Sequence, residues 1–224
     1  MPYLGLLIGL LFWVPVSWTE GFTSAVQLSV KSQYLGSLGS AVDDNAVLQP
    51  YLEINHDSGW HGYLWLNIPL SDGNPNRALE IEPSIGYRHQ LSGWNWDWTL
   101  TLFDIQNPGV FDFSGDVLGP KLTLSRRNWY LQYLHYVADA AENGQLIGGG
   151  RNWQLGRDLK IESSLSYVDG PFHFEPIVYG KMKAIWSLPK YGVDLFVEAL
   201  DILQEQDRDE SRGGQIAVGI SFNY

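Results

Sequence analysis

The chain has no cysteine among its 224 residues, which excludes a disulfide scaffold and any thiolate metal site. Positive charge is scarce: 14 Lys and Arg stand against 25 Asp and Glu, a formal net charge of −11. Phosphate binding needs clustered cations, so nucleic acid is not an expected partner. Charged residues make up only 17% of the chain, below the ~25% usual for soluble domains. No apolar run reaches the ~20 residues of a spanning helix. Glycine-rich phosphate loops are also missing. Gly148-Gly149-Gly150 lies inside a strand-like segment with no helix or Lys after it, so no nucleotide cofactor and no metal is expected.

What the sequence has is aromatic surface and alternation. Aromatics make up 14% of the residues, with ten Trp. The longest apolar run, Leu4 to Val16, fits the hydrophobic part of a secretory signal. Residues 1–21 are therefore expected to be a signal peptide and 22–224 the mature domain. From about residue 24 the hydrophobic period is two. At the end of the chain Ile216, Val218, Ile220, Phe222 and Tyr224 alternate with Gln215, Ala217, Gly219, Ser221 and Asn223.

Twelve such segments occur, near 24–35, 46–56, 60–70, 78–91, 94–104, 116–125, 129–137, 145–154, 158–168, 176–187, 191–200 and 214–224. Each is about 10 residues, the length of a tilted strand crossing a bilayer. The eighth contains the three glycines, where a bulge is expected. Five connections are tight, at Asp57–Gly59, Ser92-Gly93, Arg126–Asn128, Leu155–Arg157 and Pro189-Lys190. The other six are longer and polar. The expected fold is all-β: a twelve-stranded antiparallel transmembrane barrel with short periplasmic turns and longer acidic outer loops, both termini on the periplasmic side. Of the ten Trp, Trp13 and Trp18 precede the barrel. Five of the other eight, Trp60, Trp94, Trp129, Trp153 and Trp186, gather beside the short turns, as an interfacial aromatic girdle should.

Reading the polar phase of each strand inward gives the lumen. An acidic wall is expected from Glu53, Glu80, Glu82, Asp97, Asp194 and Glu198, and a basic wall from Lys121, Lys160, Lys181 and Lys183. Lys31, Arg88, Glu162, His61, Tyr63, Trp65, Tyr130, Gln132 and Tyr179 share that phase. Walls of opposite sign set up a transverse field that orients dipolar or zwitterionic solutes. The expected function is a small passive channel. One alternative is a structural or adhesive barrel whose lumen is plugged by ion pairs. Another is a lipid-modifying enzyme at the outer rim, for which His135, Asp139 and His173 are the candidates. The acidic loop residues Asp43, Asp44, Asp112, Asp116, Asp139, Glu142, Glu205, Asp207, Asp209 and Glu210 suit solvation, or divalent cations that bridge lipopolysaccharide.

Two resemblances add to this. Ala217-Val218-Gly219-Ile220-Ser221-Phe222-Asn223-Tyr224 resembles the C-terminal signal read by the outer-membrane assembly machinery. Its glycine is Gly219 and its alternating aromatics are Phe222 and Tyr224. Ser32-Gln33-Tyr34-Leu35-Gly36, Pro50-Tyr51-Leu52-Glu53, Asp57-Ser58-Gly59-Trp60, Trp65-Leu66-Asn67 and Ile85-Gly86-Tyr87 resemble segments of the TorF-type family of bacterial outer-membrane porins. Gln33 and Leu35 stand where members often carry a charged residue and Arg. The resemblance implies a barrel porin among outer-membrane lipid and lipopolysaccharide, without catalytic residues to carry over.

Overall fold

The computed structural model describes residues 20–36, 41–43, 45–70, 79–106, 115–138, 143–169, 176–204 and 214–224. Twelve antiparallel strands close into a barrel. They are β1 (Phe22–Lys31), β2 (Val47–His56), β3 (Trp60–Pro69), β4 (Leu79–Leu91), β5 (Trp94–Gln106), β6 (Gly115–Arg126), β7 (Trp129–Ala138), β8 (Gly144–Gln154), β9 (Leu159–Asp169), β10 (Ile177–Leu188), β11 (Val193–Gln204) and β12 (Gln215–Asn223). Each pairs with its sequence neighbours, and β1 closes on β12. The expected signal segment falls outside the described residues up to position 19.

The period-two pattern becomes two faces. Ile85, Leu100, Leu131, Leu165, Met182, Val197, Ile216 and Val218 project outward and are exposed. Transfer from water to lipid favours each such side chain by roughly 1.5–3 kcal/mol, so this belt belongs in a bilayer. The short turns use backbone geometry matched to strand twist. Ser92 and Gly93 both take positive φ, 54° and 78°, the two-residue hairpin of mirror-image type.

Two expectations change. The first strand was expected to run to residue 35. It ends at Lys31, and Tyr34–Leu35 pairs instead with Ala41–Asp43 as a short separate ribbon. The expected bulge in β8 is absent. Pairing runs unshifted through Gly148–Gly150 to both neighbours. The glycines serve packing: a Cβ on Gly150 would lie 2.6 Å from the Tyr130 ring. The register shift lies in the ladder of β10 with β11, between Val178 and Tyr179.

Prolines interrupt three ladders. Pro50, Pro83 and Pro120 each keep a partner on the preceding strand, at Leu28, Leu64 and Leu100. Pairing to the following strand skips them, opposite Leu66, Leu102 and His135. The missing N–H therefore faces that following strand. Pro120→Ala is expected to supply one ladder bond and stabilise the barrel by about 1 kcal/mol. The check is the urea midpoint of folded protein in vesicles; a lower midpoint contradicts the assignment.

Candidate functional site: the barrel lumen

The inward phase carries the polar residues, and they sort by height. Near the short turns Asp97 organises a cluster. Arg88 donates to its Oδ2 from Nε and Nη2 at 3.0 and 2.9 Å. Thr99 donates to Oδ1 at 3.1 Å, and His61 Nε2 lies 3.3 Å from the same oxygen. Gly86 makes room for this imidazole, since a Cβ there would fall 2.5 Å from His61 Nε2. Elsewhere at this end Lys160 pairs with Glu162, and Asn223 donates to Asp194 at 2.9 Å.

At mid-height the two walls differ from the expected assignment in two residues: Lys121, whose ammonium lies over Tyr63 on the acidic side, and Glu198. Glu198 does not extend the acidic wall. It is buried, 2% exposed, pairs with Lys181 and lies 3.6 Å from Lys31. Its strand β11 is next to β10, so the inward side chains of both strands share one wall. Lys31 and Lys183 also flank the Phe196 ring, at 5.7 and 4.3 Å from its centroid. Gly219 lies beneath that ring. Three lysines around one carboxylate leave this wall positive. Across the lumen, Glu80 and Glu82 hydrogen-bond each other, and Tyr34 hydrogen-bonds Glu80. Tyr51 donates to Glu53 at 3.0 Å. Lys121 lies 5.9 Å from the centroid of Tyr63.

These walls bound a cavity of about 570 Å³. Glu82 and Lys121 line it on one side and Lys31 and Lys181 on the other, with Tyr51, Tyr63, Trp65, Tyr130 and Tyr179 also in its lining. A charged or hydrogen-bonding solute meets donors, acceptors and ring faces here, and both signs of charge.

Toward the long-loop end the lumen turns apolar. Val117, Leu134, Tyr136, Leu146, Val168, Ile177, Leu200 and Ile202 form one buried cluster, and Leu35 sits inside it. The segment after β1 therefore folds into the barrel. Lys181 donates to the Leu35 carbonyl at 3.3 Å, and Tyr34 packs on Trp65 with centroids 5.4 Å apart. Sequence reasoning missed this constriction because it extended β1 through residue 35. Leu35, an apolar residue on an otherwise polar phase, was the available signal.

The aromatic girdle sits at the short-turn rim. Trp60, Trp129 and Trp186 are exposed. Trp94 is partly covered by Arg126, whose Cζ is 5.7 Å from the ring centroid, and Arg151 lies between Trp129 and Trp153 at 4.9 and 5.3 Å. Phe222 pairs with Leu28, and Tyr224 exchanges backbone bonds of 2.9 and 3.0 Å with Val26. His135 lies near the long-loop end of β7, as expected, with its side chain on the outward face beside Tyr133 and Pro120. Asp139 and His173 lie outside the described residues, as do Asp44, Asp112, Glu142 and the Glu205–Glu210 run.

No family model and no curated protein sequence matches this chain. Solved structures do. The KdgM porin is 14% identical over 89% of this chain and 99% of its own, with a TM-score of 0.62. The NanC porin is 11% identical over 89% and 99%, TM-score 0.54. An outer-membrane channel from Pseudomonas putida F1 is 10% identical over 92% and 96%, TM-score 0.53. At these identities the shared property is the fold: this chain has the architecture of a small outer-membrane porin barrel.

Proposed function

We propose that the chain is a bacterial outer-membrane barrel acting as a passive channel for small polar or zwitterionic solutes, with both termini periplasmic. The observation that carries this is the 570 Å³ lumen cavity lined by charges of both signs, Glu82 with Lys121 on one side and Lys31 and Lys181 on the other. A water-filled gap between walls of opposite sign selects by charge separation and excludes apolar solutes. The porin architecture of the structural neighbours and the TorF-type segments support the same reading. Tyr34 and Leu35 narrow the path, so the channel is size-limited. The buried cluster around Leu35 favours a second reading, a structural barrel closed at its long-loop end. Conductance of the purified protein in a planar bilayer separates the two: discrete steps support the channel, and silence of folded protein supports the closed barrel.

A further inference from the structure

The outer wall holds a second concavity, of about 440 Å³, away from the lumen. Ile85, Trp98, Leu100, Pro120, Leu122 and Tyr133 line it from β4 to β7. Trp60 and Tyr87, in an edge-on contact at 5.3 Å, close it toward the short turns. The bulky rings of Trp98 and Tyr133 stand on either side of Leu122, and one step along β6 the ring of Pro120 gives a low floor beside Leu100. These side chains are apolar or present an aromatic face, and His135 adds an imidazole beside Pro120.

The outward phase of β6 runs on from this trough. Pro120, Leu122 and Leu124 are followed by Arg126, exposed at the rim with its guanidinium on Trp94. Six residues at ~3.3 Å each, tilted by ~40°, rise roughly 15 Å. That is half of a ~30 Å hydrocarbon core, the depth of one leaflet. A cation at the interface and an apolar trough one acyl chain deep therefore stand in line on a single strand.

We propose that this trough is a specific site for a diacyl phospholipid of the leaflet at the short-turn rim. The phosphate pairs with Arg126, and one acyl chain lies over Leu122 and Pro120 between Trp98 and Tyr133. Guanidinium–phosphate pairing is charge-assisted, and the chain fills a space that bulk lipid, moving past convex wall elsewhere, does not fit as closely. The assignment rests on the outward face meeting lipid and is independent of whether the lumen conducts.

The test is native mass spectrometry of folded protein released from nanodiscs of phosphatidylethanolamine and phosphatidylglycerol. Heat-modifiable migration in gels verifies folding of each variant. Wild type is expected to carry one phospholipid adduct. Arg126→Gln lowers its occupancy about fivefold, and Leu100→Trp, which fills the trough, removes it; Leu122→Trp replaces that variant if it does not fold. Arg151→Gln, which alters another Trp-stacked cation away from the trough, leaves occupancy unchanged. Equal occupancy in all folded variants, no adduct on folded wild type, or a dimer mass in place of the adduct overturns the proposal.

Discussion

Replacing Lys121 and Lys183 together by Gln is expected to raise cation over anion permeability severalfold at low salt. Both residues face the lumen, and their ammonium groups lie over aromatic rings, Tyr63 and Phe196. A unit charge ~8 Å from a permeating ion, at an effective dielectric near 40, is worth about 1 kcal/mol, or roughly fivefold per charge in partitioning. Screening lengths above ~10 Å at low salt preserve the effect, and molar salt removes it. Glu80→Gln with Glu82→Gln removes the single negative charge that a mutually hydrogen-bonded carboxyl pair carries, so a smaller shift toward anions is expected, with Gln keeping hydrogen-bonding capacity toward Tyr34. The reversal potential across a salt gradient reads both. Unchanged selectivity in conducting double variants removes these residues from the conduction path. Lys181 is unsuitable for this experiment. Its loss leaves Glu198, 2% exposed, with Lys31 as the remaining ion-pair partner. A buried charge stripped of a partner costs about 3–5 kcal/mol, so a Lys181 variant reports stability before selectivity.

Deleting Phe222 to Tyr224 is expected to abolish accumulation in the outer membrane. The seam between β1 and β12 is the closure of the barrel. Its register pairs Gln27 with Asn223, Leu28 with Phe222, and Ser29, Val30 and Lys31 with Ser221, Ile220 and Gly219. The deletion removes two of those five pairs and both backbone bonds between Val26 and Tyr224. Unpaired backbone groups facing lipid cost several kcal/mol each. On our reading it also removes the aromatics recognised by the assembly machinery. Cell fractionation should find the truncated chain in the periplasm or degraded. Normal amounts of heat-modifiable protein in the outer membrane contradict this.

Much of the fold was legible because a barrel writes its two faces into the sequence at period two. The strand count, the five tight turns and the inward phase of Glu53, Glu80, Lys121 and Lys183 follow from alternation alone. Alternation says nothing of what lies across the lumen or folds into it. Glu198 looked acidic by residue type, yet its charge is offset by Lys31 and Lys181 from other strands. Leu35 breaks the polar phase of β1 with an apolar residue, and only tertiary packing shows that it seats in the lumen. The three glycines of β8 suggested a bulge because glycine marks bulges. Here they clear space for side chains of the neighbouring strands, Gly150 for Tyr130, Gly149 for Leu131 and Gly148 for Ser166, which local sequence does not reveal. His135 sits near the long-loop end of β7 as its distance from the loop implied, and the structure adds that it stands on the outward phase, on the lipid face.

Single-channel recording of the full-length barrel in a planar bilayer tests the channel reading most directly. The account predicts discrete conductance steps from wild type and larger steps once Tyr34–Gly36 is replaced by a short Gly-Ser linker, because Leu35 and its contact with Lys181 no longer narrow the lumen. Folded, inserted protein that stays silent both with and without the Tyr34–Gly36 segment contradicts it.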